Sequence, residues 1–66
     1  MTITLNGERR DLASPMTIAE LLAHLAIDAR RVAVERNLVV VKRAAFEETV
    51  VVEGDEVEIV NFVGGG

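Results

Sequence analysis

The chain has 66 residues, no cysteine, a formal net charge of −4 and a composition that is half hydrophobic. That length holds one small domain, and without thiols no disulfide or thiolate-metal site can staple it, so packing alone must stabilise the fold. No apolar run is long enough to span a bilayer, and the N-terminus lacks the basic-then-apolar order of a secretory signal, so a cytoplasmic protein with no membrane partner is expected.

Charge is unevenly distributed. Residues 1–43 carry seven basic and five acidic side chains, whereas residues 44–66 carry six acidic and no basic ones. Nucleic acid is excluded as the expected partner, because binding it needs Lys and Arg gathered to displace counterions from phosphate. Two readings fit Glu47, Glu48, Glu53, Asp55, Glu56 and Glu58: they solvate a sheet face, or they meet a basic protein surface.

Met1, Ile3 and Leu5 alternate with Thr2 and Thr4, the period of a strand with one buried face, and Asn6-Gly7 follows as a hairpin signal. Glu8 to Leu12 returns antiparallel, and its charges suit a sheet edge. Ala13 to Met16 is the exit loop. Thr17-Ile18-Ala19-Glu20 has the spacing of a capping box, so a helix begins here and presents Ile18, Leu21, Leu22 and Leu25 on one face. His24, the only histidine, is a surface or boundary residue, since no cysteine, no serine-and-acid arrangement and no second histidine accompanies it.

Val32 to Glu35 and Leu38 to Val41 form two strands joined through the polar pair Arg36-Asn37. Residues 42–48 break the alternation and read as a loop or single helical turn, with Phe46 plugging the core. Thr49 to Val52 forms a short strand, Glu53-Gly54-Asp55 a turn, and Glu56 to Phe62 the last strand. In that strand Val57 and Ile59 share one face while Val60 and Phe62 share the other, so it is either central and apolar on both faces or bulged. Core packing is favoured over docking for Phe62. If Val60, Phe62 or Val63 is exposed, it forms an apolar patch suited to a partner. The result is a mixed four- to five-stranded sheet covered on one side by one main helix, an α+β fold.

The chain ends on Gly64-Gly65-Gly66. Such glycines are either a frayed end or a side-chain-free tail able to lie in a narrow channel of a partner enzyme. Gly66 then carries the terminal carboxylate as the candidate reactive group.

Taken in order, several segments resemble the ThiS family of thiamine biosynthesis, sulfur carriers with a ubiquitin-like β-grasp fold. They are Ile3 to Glu8, Thr17 to Leu22, Val32 to Asn37, Val41-Lys42-Arg43 leading to Phe46, Gly54-Asp55 with Val57 to Val60, and the glycine end. The resemblance implies a domain over residues 1–63, with first and last strands parallel at its centre, and a flexible tail over 64–66. It implies that Gly66 becomes an acyl adenylate and then a thiocarboxylate. Gly65 then lets the tail enter partner active sites and Gly64 extends it, while the apolar strand end, not the resemblance, makes Phe62 and Val63 the candidate docking residues. The implied partners are an E1-like adenylyltransferase of the ThiF type, a persulfide sulfur donor and a thiazole synthase of the ThiG type, each met in turn by a monomeric carrier. The carrier itself binds no cofactor and is no enzyme; ATP and magnesium belong to the activator. Three other roles stay open: the related carrier of molybdopterin synthase, a ubiquitin-like protein modifier, and a binding or structural β-grasp module for which the terminal glycines are incidental. The short Asn6-Gly7 hairpin and compact length favour the thiamine branch.

Overall fold

The structure, a computed structural model, describes residues 1–62. Seven strands and one helix follow in order: β1 (Thr2–Leu5), β2 (Glu8–Asp11), β3 (Met16–Thr17), α1 (Ile18–His24), β4 (Val32–Arg36), β5 (Val39–Val41), β6 (Val50–Val51) and β7 (Glu56–Asn61). Single 3-10 turns cover Ala29–Arg31 and Arg43–Ala45.

Five strands form one mixed sheet in the order β2-β1-β7-β4-β5, with β1 and β7 parallel at its middle. This is the ubiquitin-like β-grasp arrangement. β3 and β6 pair separately, so Met16, expected in a loop, belongs to a two-residue bridge that ties the start of the helix to the far crossover.

The β1–β2 hairpin turns through Asn6 and Gly7, both in the left-handed region at φ 49° and 81°. Glycine enters that region without a Cβ penalty and asparagine tolerates it, which is why this dipeptide can make so tight a turn. All four β2 residues are exposed, in keeping with an edge, while Leu12 just beyond is buried.

α1 opens with both halves of the capping box. The Glu20 N–H donates to Thr17 Oγ1 at 3.0 Å, and the Thr17 N–H donates to Glu20 Oε1 at 2.8 Å. Its end is equally defined: Ile27 N–H bonds the Leu22 carbonyl and Ala26 N–H the Ala23 carbonyl, the paired closure in which the chain reverses through a left-handed residue. That residue is Ala26, at φ 59°. Ile18, Leu21 and Leu22 face the sheet and meet Ile3, Leu5, Val32, Val34, Val51 and Val57 in one core, closed at the crossover by Phe46. His24 is exposed in the last helical turn.

Two expectations are corrected here. The β4–β5 connection is Asn37-Leu38, because Arg36 pairs with Val39 across the hairpin. Both turn residues are left-handed, at φ 53° and 69°, and Leu38 is 83% exposed. Asp55 does not solvate a face. It is 6% exposed and accepts hydrogen bonds from Arg36 Nε at 2.8 Å, Asn37 Nδ2 at 3.1 Å and the Val52 N–H at 2.9 Å. Asn37 passes the link on by accepting from the Glu56 N–H at 2.9 Å. The unusual turn is thereby held by side-chain bonds to the start of β7.

Candidate functional site

The candidate site is the end of β7 and the sheet face around it. β7 pairs with β4 without interruption from Val57 to Asn61, so no bulge changes its phase. Side chains opposite one another across paired strands share a face. Val57 and Ile59 therefore point to the helix with Val34, while Glu56, Glu58 and Val60 point outward with Glu35 and Ala33. Val40 joins the outer set through its pairing with Glu35. The last strand is thus central, and the apolar residues of its second face sit only at its end.

Phe62 continues this outward row. Core packing, the favoured expectation, is overturned: the ring is 60% exposed, beside Val60 at 60% and Val40 at 66%. The reason is register, since an even-numbered residue of β7 cannot reach the helix side that Val57 occupies. The conditional expectation of an apolar patch at the strand end is met by Val60 and Phe62. A shallow groove of about 330 Å³ runs beside the ring, walled by Val32, Val40, Phe46, Lys42 and Arg43. The Phe62 N–H donates to the Arg31 carbonyl at 2.9 Å, holding the backbone to the sheet at the last described residue. Val63, Gly64, Gly65 and Gly66 lie outside the described residues.

Charge around this face is polar in both senses. At the strand end stand Lys42 and Arg43, with Arg31 beside the backbone that receives Phe62. Arg30 and Arg31 share Asp28 as counter-charge, at 3.0 and 3.9 Å. The Arg30 side chain and its N–H, both bonded to that carboxylate, hold the Asp28 pKa down at about 2. At the other end of the row lie Glu35, Glu56 and Glu58. Phe62 lies four residue steps beyond Glu58, about 13 Å at strand rise. The outer face therefore reads basic, apolar, acidic along β7. The basic end was missed because Lys42 and Arg43 lie twenty residues from Phe62 in sequence, and only the fold brings them to the groove. Among the described residues, no cluster of three or more His, Cys, Asp or Glu side chains could hold a metal ion. No helix of the described residues is long and apolar enough to cross a membrane.

The ThiS family matches residues 3–66. A thiazole synthase of Paramagnetospirillum magneticum is 46% identical over all 66 residues, a match that spans only 20% of that protein's length. The sulfur carrier protein ThiS of Bacillus subtilis is 40% identical over 50 residues, 76% of each chain. The crystal structure of the thiamine biosynthesis protein ThiS from Geobacter metallireducens superposes with a TM-score of 0.88 at 39% identity, covering both chains completely. A parallel pair of central strands under one capped helix and a family match that runs to the terminal glycine agree, and the chain belongs to the ThiS family.

Proposed function

We propose that this chain is a sulfur carrier of thiamine biosynthesis, and that the Gly66 carboxylate is the group that carries the sulfur. The observation that carries this reading is the family match itself, which includes the glycine end. Similarity to a named sulfur carrier and to a named thiazole synthase supports it.

A carboxylate is a poor acylating group, so its oxygen first attacks the α-phosphorus of ATP on an E1-like enzyme and pyrophosphate leaves. Sulfur of a persulfide then displaces AMP from the acyl carbon. A thiol cleaves the resulting S–S bond, ending as a disulfide and leaving the thiocarboxylate on Gly66. Thiazole synthase takes that sulfur into the thiazole ring. Activator and acceptor supply the catalytic groups, and ATP and magnesium are bound by the activator. The carrier supplies a terminus without side chains and a surface that orients it.

The orienting surface is the outer face around Phe62. Its basic, apolar and acidic zones favour a partner whose channel mouth is lined with carboxylates, whose centre is apolar, and whose basic residues lie about 13 Å away along β7. Opposite charge at the two ends makes the reversed orientation unfavourable, which directs the terminus into the channel.

Carrier-dependent exchange of labelled pyrophosphate into ATP tests the activation step. With an E1-like activator, the full chain should support exchange and a chain lacking Gly65 and Gly66 should not. Equal exchange by both would overturn the assignment of Gly66.

A further inference from the structure

β7 is paired on its two sides over different lengths. On the β4 side the ladder runs to Asn61, and Phe62 adds one more bond. On the β1 side the parallel pairing stops at Leu5 opposite Val57. Beyond it the Asn6 side chain takes over, accepting from the Ile59 N–H at 2.7 Å and donating through Nδ2 to the Ile59 carbonyl at 3.2 Å. One amide side chain thus serves as the final rung, and Gly7 then turns the chain away.

Register decides what this leaves. Even-numbered residues of β7 direct their backbone toward β4, as the bonds from Asn37 to the Glu56 carbonyl and from Phe62 to the Arg31 carbonyl demonstrate. Odd-numbered residues direct theirs toward β1, as the bond from Asn6 to the Val57 carbonyl demonstrates. The backbone N–H and C=O of Asn61 therefore point to the β1 side, past the Asn6 rung, where no described strand reaches. They open on a groove of about 300 Å³ lined by Leu25, Ile27, Ile59, Asn61 and Arg10. Arg10 is exposed on the edge strand, with no carboxylate within ion-pair distance among the described residues.

We propose that this open rung of β7 receives an extended segment of thiazole synthase, which hydrogen-bonds Asn61, seats an apolar side chain against Leu25, Ile27 and Ile59, and sets a carboxylate against Arg10. Backbone donors and acceptors at a strand edge are satisfied by another strand, and alternate side chains of that strand then enter the flanking groove. Arg10 selects the charge. Thiazole synthase is the occupant because a segment 46% identical to this whole chain is part of a longer thiazole synthase, which places a module of this kind permanently beside that enzyme. The inference rests on the reading that thiazole synthase receives the tail. It adds a second point of hold on the helix side of β7, opposite the face that bears Phe62.

The test is amide hydrogen exchange by NMR on the full chain, free and with its cognate thiazole synthase, together with affinities of two charge reversals. In the complex the Asn61 amide should exchange at least about tenfold slower, while Thr49, bonded to the Ala45 carbonyl and lining neither groove, serves as the internal reference. Arg10→Glu should weaken binding about fivefold, and Arg9→Glu, on the same edge strand but the other sheet face, should not. Unchanged Asn61 exchange in a formed complex, equal affinities of the two variants, or no complex at all would overturn the proposal. A carrier that still becomes thiocarboxylated at Gly66 would then show that this inference had failed while the carrier function stood.

Discussion

Replacing Asp55 by alanine should destabilise the fold by about 3 kcal/mol at pH 7. The carboxylate is 6% exposed and accepts three hydrogen bonds, one of them from a guanidinium. Each bond ends on an ionised carboxylate, where a bond contributes about 1.5 kcal/mol at the low end, giving roughly 4–5 before correction. The Arg36 side chain is 32% exposed and can rehydrate when its partner is lost, which lowers the figure toward 3. For a chain of this size, whose whole stability is on the order of 3–10 kcal/mol, that loss approaches unfolding. Urea titration at several pH values measures it. Burial pushes the Asp55 pKa up, but the bonds from Arg36, the Val52 N–H and Asn37 outweigh burial and hold it below the ordinary value. The folded pKa lies below the unfolded one, so the contribution is complete above about pH 4 and is lost as pH falls through the depressed value. The gap between native chain and Asp55→Ala should therefore narrow on acidification. A loss under 1 kcal/mol at pH 7, or a gap that stays constant down to pH 2, would refute the reasoning.

Four other substitutions follow from particular geometries. Ala26 and Leu38 occupy left-handed backbone at φ 59° and 69°, so Ala26→Gly and Leu38→Gly should each raise stability in urea by about 0.5–1 kcal/mol, the strain relieved less the entropy that glycine adds to the unfolded chain. Thr17→Ala removes the helix cap and should cost about 1 kcal/mol, read as a lower thermal midpoint with an unchanged folded spectrum. Phe62→Ser should leave stability within about 1 kcal/mol, because the ring is already 60% exposed, yet weaken binding to thiazole synthase about tenfold by calorimetry as its apolar contact is lost.

Local signals carried much of the fold into view. Alternation in Met1 to Leu5, the Asn6-Gly7 turn and the Thr17–Glu20 box each act within a few residues, and each stands where its pattern placed it. What escaped was decided across the sheet. The Arg36-Asn37 pair looked like the turn because it is the polar interruption between two apolar runs, but Asn37 is bonded to Asp55 and Glu56, nearly twenty residues away, and this shifts the turn onto Leu38. Asp55 resembled its acidic neighbours in sequence, and only the arrival of Arg36 beneath it explains its burial. Phe62 looked like core because large aromatics usually are; its outward position follows from the register of β7 against β4. For the site, the strand leading to the terminal glycines was legible, whereas the basic end of the docking face and the open rung at Asn61 required strands brought together by the fold.

The central claim is that sulfur is carried on Gly66. Intact-protein mass spectrometry after incubation with an E1-like activator, ATP and a persulfide source tests it most directly, with fragmentation to locate the change and a chain lacking Gly65 and Gly66 as control. The expected result is a gain equal to the exchange of one oxygen for one sulfur, confined to Gly66 and absent from the truncated chain. No gain with an activator shown to be active on another carrier, or a gain located elsewhere in the chain, would contradict it.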